Sequence, residues 1–533
     1  MARSSSRSPV IVLTVILSCG LLGAVGQHLS SEGDEGTSEA AVNRNLQSFS
    51  RVYNLVETNY ADPVDPDKAI YNGAIPNMLR VLDPHSNFFD PKAYGLLREE
   101  QRGKYYGVGM QVGPRDNKVI VIAPFVGTPA YKAGLRPGDI IIAVDGKPTD
   151  NMNTSDVAEM LKGPKNTHVH ISIMREGADK PLLFDVIRDE IPRYSVDLAF
   201  MIQPGIGYIH ITGFQETTEK EVADALENFG DIKGLVLDLR QNPGGLLGEG
   251  VGVADKFLHK GQVIVSHHGR SSPERVYRAS HGNGGRDYPL VVLVNRGTAS
   301  AAEIVAGAIQ DHDRGLIIGE TTFGKGLVQT VYPLSENTGL ALTTAKYYTP
   351  SGRLIQRDYN GVSLYDYYYN RENIDKTTAG REVKLTDSGR TEFGGGGITP
   401  DKKFDSPKSN HFQDTLLQHY VFFNFAKHYL IGRHITKDYQ VDDATMREFK
   451  AFLATQKIAY DDAEATPILD WLKMSVKGEL FVSEFGQEEG LKVRAQWDPM
   501  IQKGIDSLPE AQALQDNAKR IVAEHRQSKQ GDQ

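Results

Sequence analysis

Between residues 205 and 319, short apolar runs alternate with stretches of helical periodicity. The runs at 206–211, 234–239, 263–266, 290–294 and 315–319 read as strands, and 218–229, 247–258 and 298–310 read as helices. Such a chain can be neither a closed antiparallel barrel nor a helical bundle. The alternation argues an α/β layer architecture, with catalytic groups placed where strands end and helices begin.

The flanks have other textures. Residues 39–102 carry mostly helical spacing, with Leu46, Phe49, Val52, Tyr53, Leu55 and Val56 on one face, a turn at Leu82-Asp83-Pro84-His85-Ser86, and a further helix opening at Asp90-Pro91. Residues 103–190 hold β-branched runs separated by glycine and read as a strand-rich module with short helices near 128–135 and 155–161. Residues 191–401 contain the α/β core, interrupted by a tyrosine- and glycine-rich insertion at 359–397, and helical spacing returns over 402–533. The 533 residues therefore divide into about three globular units at roughly 100–200 residues each.

Several chemistries are excluded. Lys and Arg total 59 against 68 Asp and Glu, a formal charge of −9, which leaves no basic footprint for nucleic acid. The single cysteine, Cys19, allows neither an intrachain disulfide nor a zinc site built on cysteine pairs. No His-Glu-x-x-His occurs, and the adjacent His267 and His268 face opposite sides of a strand. Gly319 to Lys325 nearly spells a phosphate-binding loop, but Gly326 stands where magnesium needs a hydroxyl, and a β-branched strand follows instead of a helix. Gly107-Val108-Gly109 likewise precedes a turn and a strand, which excludes a dinucleotide fingerprint.

What remains is a serine at a strand-to-helix turn, in Asn295-Arg296-Gly297-Thr298-Ala299-Ser300-Ala301-Ala302-Glu303. Ser300 at a helix start is either a cap or an exposed nucleophile, with the Ala301 N–H free to face a developing oxyanion. Lys325, between two glycines after an apolar strand, is placed for desolvation, and a neutral amine can take a serine proton. Gln329 lies four residues on; a straight strand would separate the two by roughly 13 Å, so contact requires the chain to bend, as Gly326 permits.

These residues resemble the carboxyl-terminal processing, or tail-specific, protease family. Its pattern is met at Ser300, Lys325 and Gln329, and also at Asp238-Leu239-Arg240-Gln241-Asn242-Pro243-Gly244-Gly245, Tyr348-Thr349-Pro350-Ser351-Gly352 and Gly397-Ile398-Thr399-Pro400-Asp401. The resemblance implies an α/β (α+β) multidomain fold: a crotonase-like, ClpP-like catalytic core with an inserted PDZ domain and helical N- and C-terminal regions. It also implies a serine endopeptidase with a Ser300–Lys325 dyad, Gln329 orienting the lysine, and the N–H groups of Gly245 and Ala301 as oxyanion donors. Gly244 competes with Gly245 for that role. Gly107, Val108, Gly109 and Met110 match the loop that binds a peptide's terminal carboxylate, with Val108 at the pocket for the terminal side chain. The alternative from another class is a non-catalytic PDZ scaffold that captures protein tails.

The expected partners are proteins with free C-termini, an adaptor that presents them, and further copies of this chain; no metal or organic cofactor is expected. At the N-terminus, Arg3 and Arg7 lead into an apolar stretch from Val10 to Val25, and a polar, acidic linker (28–38) follows. This is the charge order of an export signal, cleaved or retained as an anchor over residues 1–27, and it places the remainder in the periplasm or cell envelope.

Overall fold

The computed structural model describes residues 39–369, 381–405 and 407–531. The apolar stretch expected as an export signal lies outside them. The chain forms two compact units, Met1–Ile75 and Pro76–Gln533. In the first, helix α1 (Glu39–Asn59) buries none of its residues, and Leu46, Phe49 and Val52 stay exposed. The expected N-terminal helical region is thus divided, because α2 (Pro91–Arg102) belongs to the second unit. Asp90 caps α2 by accepting the Ala93 N–H at 2.7 Å, with Pro91 at the position where a missing N–H costs nothing.

Within the second unit a strand-rich module pairs β1 (Met110–Arg115), β2 (Lys118–Pro124), β3 (Ile140–Val144), β4 (His168–Met174) and β5 (Leu182–Ile187) in that spatial order, all antiparallel. Helices α3 (Pro129–Ala133) and α4 (Thr154–Leu161) flank the sheet, and strand β1 lies at its edge. Val108, Val121, Ile141, Val157 and Ile171 form its core.

The central sheet has the order β6–β7–β8–β11–β12–β15: β6 (Val196–Gln203), β7 (Ile206–Ile211), β8 (Gly234–Asp238), β11 (Leu290–Val294), β12 (Leu316–Gly319) and β15 (Lys402–Lys403). Only the β6–β7 pair is antiparallel. All five residues of β8 and of β11 are buried, as parallel strands covered on both faces must be. One face packs α5 (Thr218–Phe229), α6 (Leu247–Asp255) and α7 (Ala301–Asp311). The other face is closed from far along the chain, where Met500, Ile501, Ile505 and Leu508 pack on Val236, Val291 and Leu293. The expected C-terminal helical region therefore does two jobs, since Phe412 to Val493 form a separate aromatic-rich core.

The run at 263–266 does not join this sheet. It starts β9 (Val263–Gly269), which pairs with β10 (Ser272–Arg278) and β14 (Gly339–Tyr348) in a second, antiparallel sheet that also contains β13 (Leu327–Pro333). Here His268 stacks on Tyr348 at 4.7 Å, and His267 Nε2 lies 3.4 Å from the Tyr277 hydroxyl. Among the described residues no helix is long and apolar enough to cross a membrane.

Candidate active site

The end of β11 and the start of α7 place Ser300 at the mouth of a cleft of about 830 Å³. The helix begins at Ala301, three residues later than the periodicity predicts, so Ser300 is its first flanking residue. A serine that only caps a helix sits in the extended region. Ser300 instead has φ 55° and ψ −117°, a conformation that costs roughly 1–3 kcal/mol and persists only where its surroundings impose it. The Ser300 N–H donates to Glu303 Oε2 at 2.8 Å. The Ala301 N–H, first in the helix, has no partner among the described residues.

Facing this turn is the loop after β8. Asn242, fully buried, donates from Nδ2 to the Ile211 carbonyl and accepts the Gly244 N–H at Oδ1, each at 2.8 Å; its own carbonyl accepts the Ala299 N–H at 2.9 Å. The asparagine thus ties the glycine loop to the serine turn. It also distinguishes the two glycines: the Gly244 N–H donates to Asn242, whereas the Gly245 N–H has no partner among the described residues. At φ 146°, a Cβ on Gly245 would come within 2.1 Å of the Phe214 carbonyl oxygen.

Lys325 and Gln329 line the same cleft. The contact that a straight strand forbids is made: Lys325 Nζ donates to Gln329 Oε1 at 2.8 Å. The pairing of β13 with β14 slips between Val328 and Gln329, where β14 carries one extra residue, Thr344. Gln329 Nε2 in turn donates to the His85 carbonyl. That carbonyl is presented by a turn built on Asp83, whose carboxylate accepts the His85 N–H, the Ser86 N–H and the Ser86 hydroxyl, each at 2.7 Å. Burial drives the Lys325 pKa below its ordinary value, against the opposing pull of Glu303 and Asp83. Ser300 and Lys325 line the same cleft, but no hydrogen bond joins Oγ to Nζ; the lysine amine is held by the glutamine.

Two residues that sequence reasoning left without a role hold these parts in place. Glu303, fully buried, accepts the N–H groups of Ser300, Gly324 and Lys325 at 2.8, 2.7 and 2.9 Å, and the Thr322 hydroxyl at 2.5 Å. One carboxylate therefore bridges the serine turn and the lysine loop; burial raises its pKa, while these donors oppose the rise. Tyr347, at the end of β14, puts its hydroxyl 3.0 Å from the Ser300 carbonyl and in contact with that of Lys325. Glu303→Gln is expected to lower stability by about 1–3 kcal/mol, because an amide nitrogen cannot accept from the buried N–H groups. A thermal melt indistinguishable from the parent would contradict this bridging role.

At the module's loop, the Val108 and Gly109 N–H groups have no partner among the described residues, while the Gly109 carbonyl accepts from Phe125 N–H at 3.0 Å and from Thr128 Oγ1 at 2.7 Å. Gly107 pairs with Asp189, and Met110 opens the edge strand. Val108 is 2% exposed and packs into the module core. Among the described residues no group of three or more His, Cys, Asp or Glu is placed to hold a metal ion.

Residues 205–363 match peptidase family S41, residues 121–175 match the PDZ domain, and residues 412–477 match a C-terminal helical domain of PDZ-proteases. The carboxy-terminal-processing protease of Bartonella bacilliformis is 38% identical over 351 residues, 65% of this chain and 79% of that one. The carboxyl-terminal-processing protease of Synechocystis is 40% identical over 292 residues, 53% and 68% of the two chains. The carboxy-terminal processing protease CtpA of Bacillus subtilis is 34% identical over 351 residues, 65% and 74%. Among solved structures, a photosystem II D1 C-terminal processing protease is 33% identical and covers 68% of this chain and 88% of its own, with a TM-score of 0.34.

Proposed function

Because the chain belongs to the carboxy-terminal processing serine proteases of peptidase family S41, we propose that Ser300 is its nucleophile and Lys325 its general base. The carrying observation is the lysine: a partly buried amine with a depressed pKa, held in the same cleft as a serine in a strained helix-start conformation. In this reading Ser300 Oγ attacks the scissile carbonyl carbon and its proton passes to neutral Lys325 Nζ. The C–N bond breaks, the ammonium returns the proton to the leaving amine, and an acyl-Ser300 ester remains. Water then attacks the ester with the lysine again accepting the proton; the acyl C–O bond breaks, the ammonium returns the proton to Ser300 Oγ, and the new carboxyl terminus leaves. Gln329, fixed by the His85 carbonyl, orients Nζ; to reach Oγ the lysine leaves or shares this partner. The free N–H groups of Gly245 and Ala301 are the donors for the tetrahedral oxyanion.

The PDZ module is proposed to capture the substrate's C-terminus, with the free N–H groups of Val108 and Gly109 on the terminal carboxylate and the peptide added along the open edge of β1. Free-acid and amidated forms of one unfolded substrate distinguish this from generic cleavage. Amidation removes a charge-assisted hydrogen bond worth roughly 1.5–3 kcal/mol, so affinity is expected to fall by about ten- to a hundredfold. Equal affinity and equal peptide-bond cleavage would show that the loop is only a turn. Val108→Asp does not serve this test, since it would place a charge in the module core.

Export is proposed from the charge order around residues 10–25, and full-length protein confined to the cytoplasm in fractionated cells would contradict it. Self-association through the helical ends is supported by the exposed Leu46, Phe49 and Val52 of α1; sedimentation as a monomer at high concentration would contradict it. An adaptor that presents substrates is also proposed, by family resemblance alone; equal cleavage with and without envelope extract would contradict it.

A further inference from the structure

The insertion that interrupts the family pattern after Tyr359 begins with a short helix, Leu364–Tyr368, which turns Tyr367 back into the protein, where it is 1% exposed. Among the described residues the Tyr367 hydroxyl has two polar partners, His85 Nε2 at 2.9 Å and Gln356 Nε2 at 3.1 Å. Both lead to the lysine. The carbonyl of His85 accepts from the Gln329 amide that holds Lys325 Nζ, and Gln356 Oε1 accepts the N–H of Gly326, next to Lys325, at 2.9 Å. The ring is also fixed: the Arg357 guanidinium lies 4.4 Å from its centroid and donates to the Tyr367 carbonyl at 2.5 Å, and His85 and Phe323 meet it edge-on at 5.5 and 5.7 Å.

We propose that Tyr367 is a positioning residue, whose hydroxyl ties His85 to Gln356 and thereby fixes the Gln329 amide and the lysine in their working geometry. The inference rests on the Ser300–Lys325 reading and deepens it: one residue near the start of the insertion, Tyr367, supports the lysine from behind Gln329 and Gly326.

The donors and acceptors are consistent. Gln356 Nε2 donates to the phenol oxygen, so the O–H is left to donate to His85 Nε2, which requires a neutral imidazole. Burial and the neighbouring Lys325 depress the His85 pKa to about 4, so the imidazole is neutral near pH 7. Without the hydroxyl, His85 and Gln356 would each lose a buried partner, and water would enter to satisfy them. Water beside Nζ relieves the desolvation that keeps the lysine pKa low. The charged and titratable groups facing Lys325 are unaltered by this change: Glu303 from α7, Asp83 and His85 from the turn, Tyr347 from β14, and Arg357 behind His85.

The test is Tyr367→Phe in the full chain. At neutral pH kcat is expected to fall roughly ten- to a hundredfold with KM changed less than about twofold. The rising limb of the pH–rate profile should move to higher pH, so that activity recovers in alkali. His85→Phe reads the same tie from its other end, also if the Tyr367 variant fails to fold. The double variant should be no worse than either single one. Tyr365→Phe, on an exposed tyrosine of the same helix, should change neither quantity. An unmoved pH midpoint, or fully additive losses in the double variant, would overturn the inference while leaving the dyad intact. Full activity in Ser300→Ala would instead remove the reading on which it rests.

Discussion

Lys325→Arg is expected to lower kcat by about 10²–10⁴, the usual contribution of a positioned general base, although it keeps the positive charge. A guanidinium does not deprotonate at working pH, so it cannot take the Ser300 proton. The pH dependence of the parent follows from the same group. Burial places the lysine's folded pKa below 10.5, and only the neutral amine is a base. Activity should therefore rise with pH, with its midpoint below that of a solvated lysine. Recovery of the Arg variant at any pH up to 10, or a flat parent profile, would remove the lysine from the mechanism.

Ser300→Ala is expected to be the more damaging change, with kcat reduced by about 10³–10⁶ and the fold retained. The main interactions of this residue with the fold are made by its backbone: its N–H with Glu303 and its carbonyl with Tyr347. Both survive the substitution. The alanine must still adopt φ 55°, so a strain of roughly 1–3 kcal/mol stays in place rather than being added. An unchanged melting curve with lost cleavage is the expected pair of results, and cleavage at the parental rate would exclude the serine as nucleophile.

The outcome for individual residues shows which information a sequence carries. The layer was legible because its strands and helices each obey a local period, and the serine turn because a small-residue loop between β11 and α7 is a local motif. The partner of a strand is not local: Val263-Ile264-Val265 is as apolar as 290–294, but its strand pairs with β10 and β14 in another sheet. The helices that close the outer face of the central sheet come from 499–511, and nothing in β11 names them, although its unbroken apolar run requires a cover. Of the two glycines, resemblance favours Gly245 with Gly244 as its competitor, and the Asn242 side chain distinguishes them by engaging Gly244.

Glu303 was visible without its meaning. Ser-x-x-Glu at a helix start reads as a capping box, in which the glutamate serves only its own helix. In the structure its carboxylate also accepts from Gly324 and Lys325, more than twenty residues on, and this second use depends on the tertiary approach of the lysine loop. Tyr347 and His85 act through a hydroxyl and a carbonyl set by distant segments, and no spacing rule marks them. The Lys325–Gln329 contact lay between these cases: the pair is marked by its motif, and the contact itself is made only in the folded chain.

The central claim is that peptide hydrolysis runs through an ester on Ser300 formed with Lys325 as the neutral base. The most direct measurement is a rapid quench of the full chain with an activated peptide ester, followed by intact-mass and peptide mapping across a pH series. The account predicts an acyl adduct mapped to Ser300, whose rate of formation rises with pH to a midpoint below 10.5 in the parent and which does not form in Lys325→Arg. Turnover with no adduct on Ser300, or an adduct that forms equally fast in the Arg variant, would contradict it.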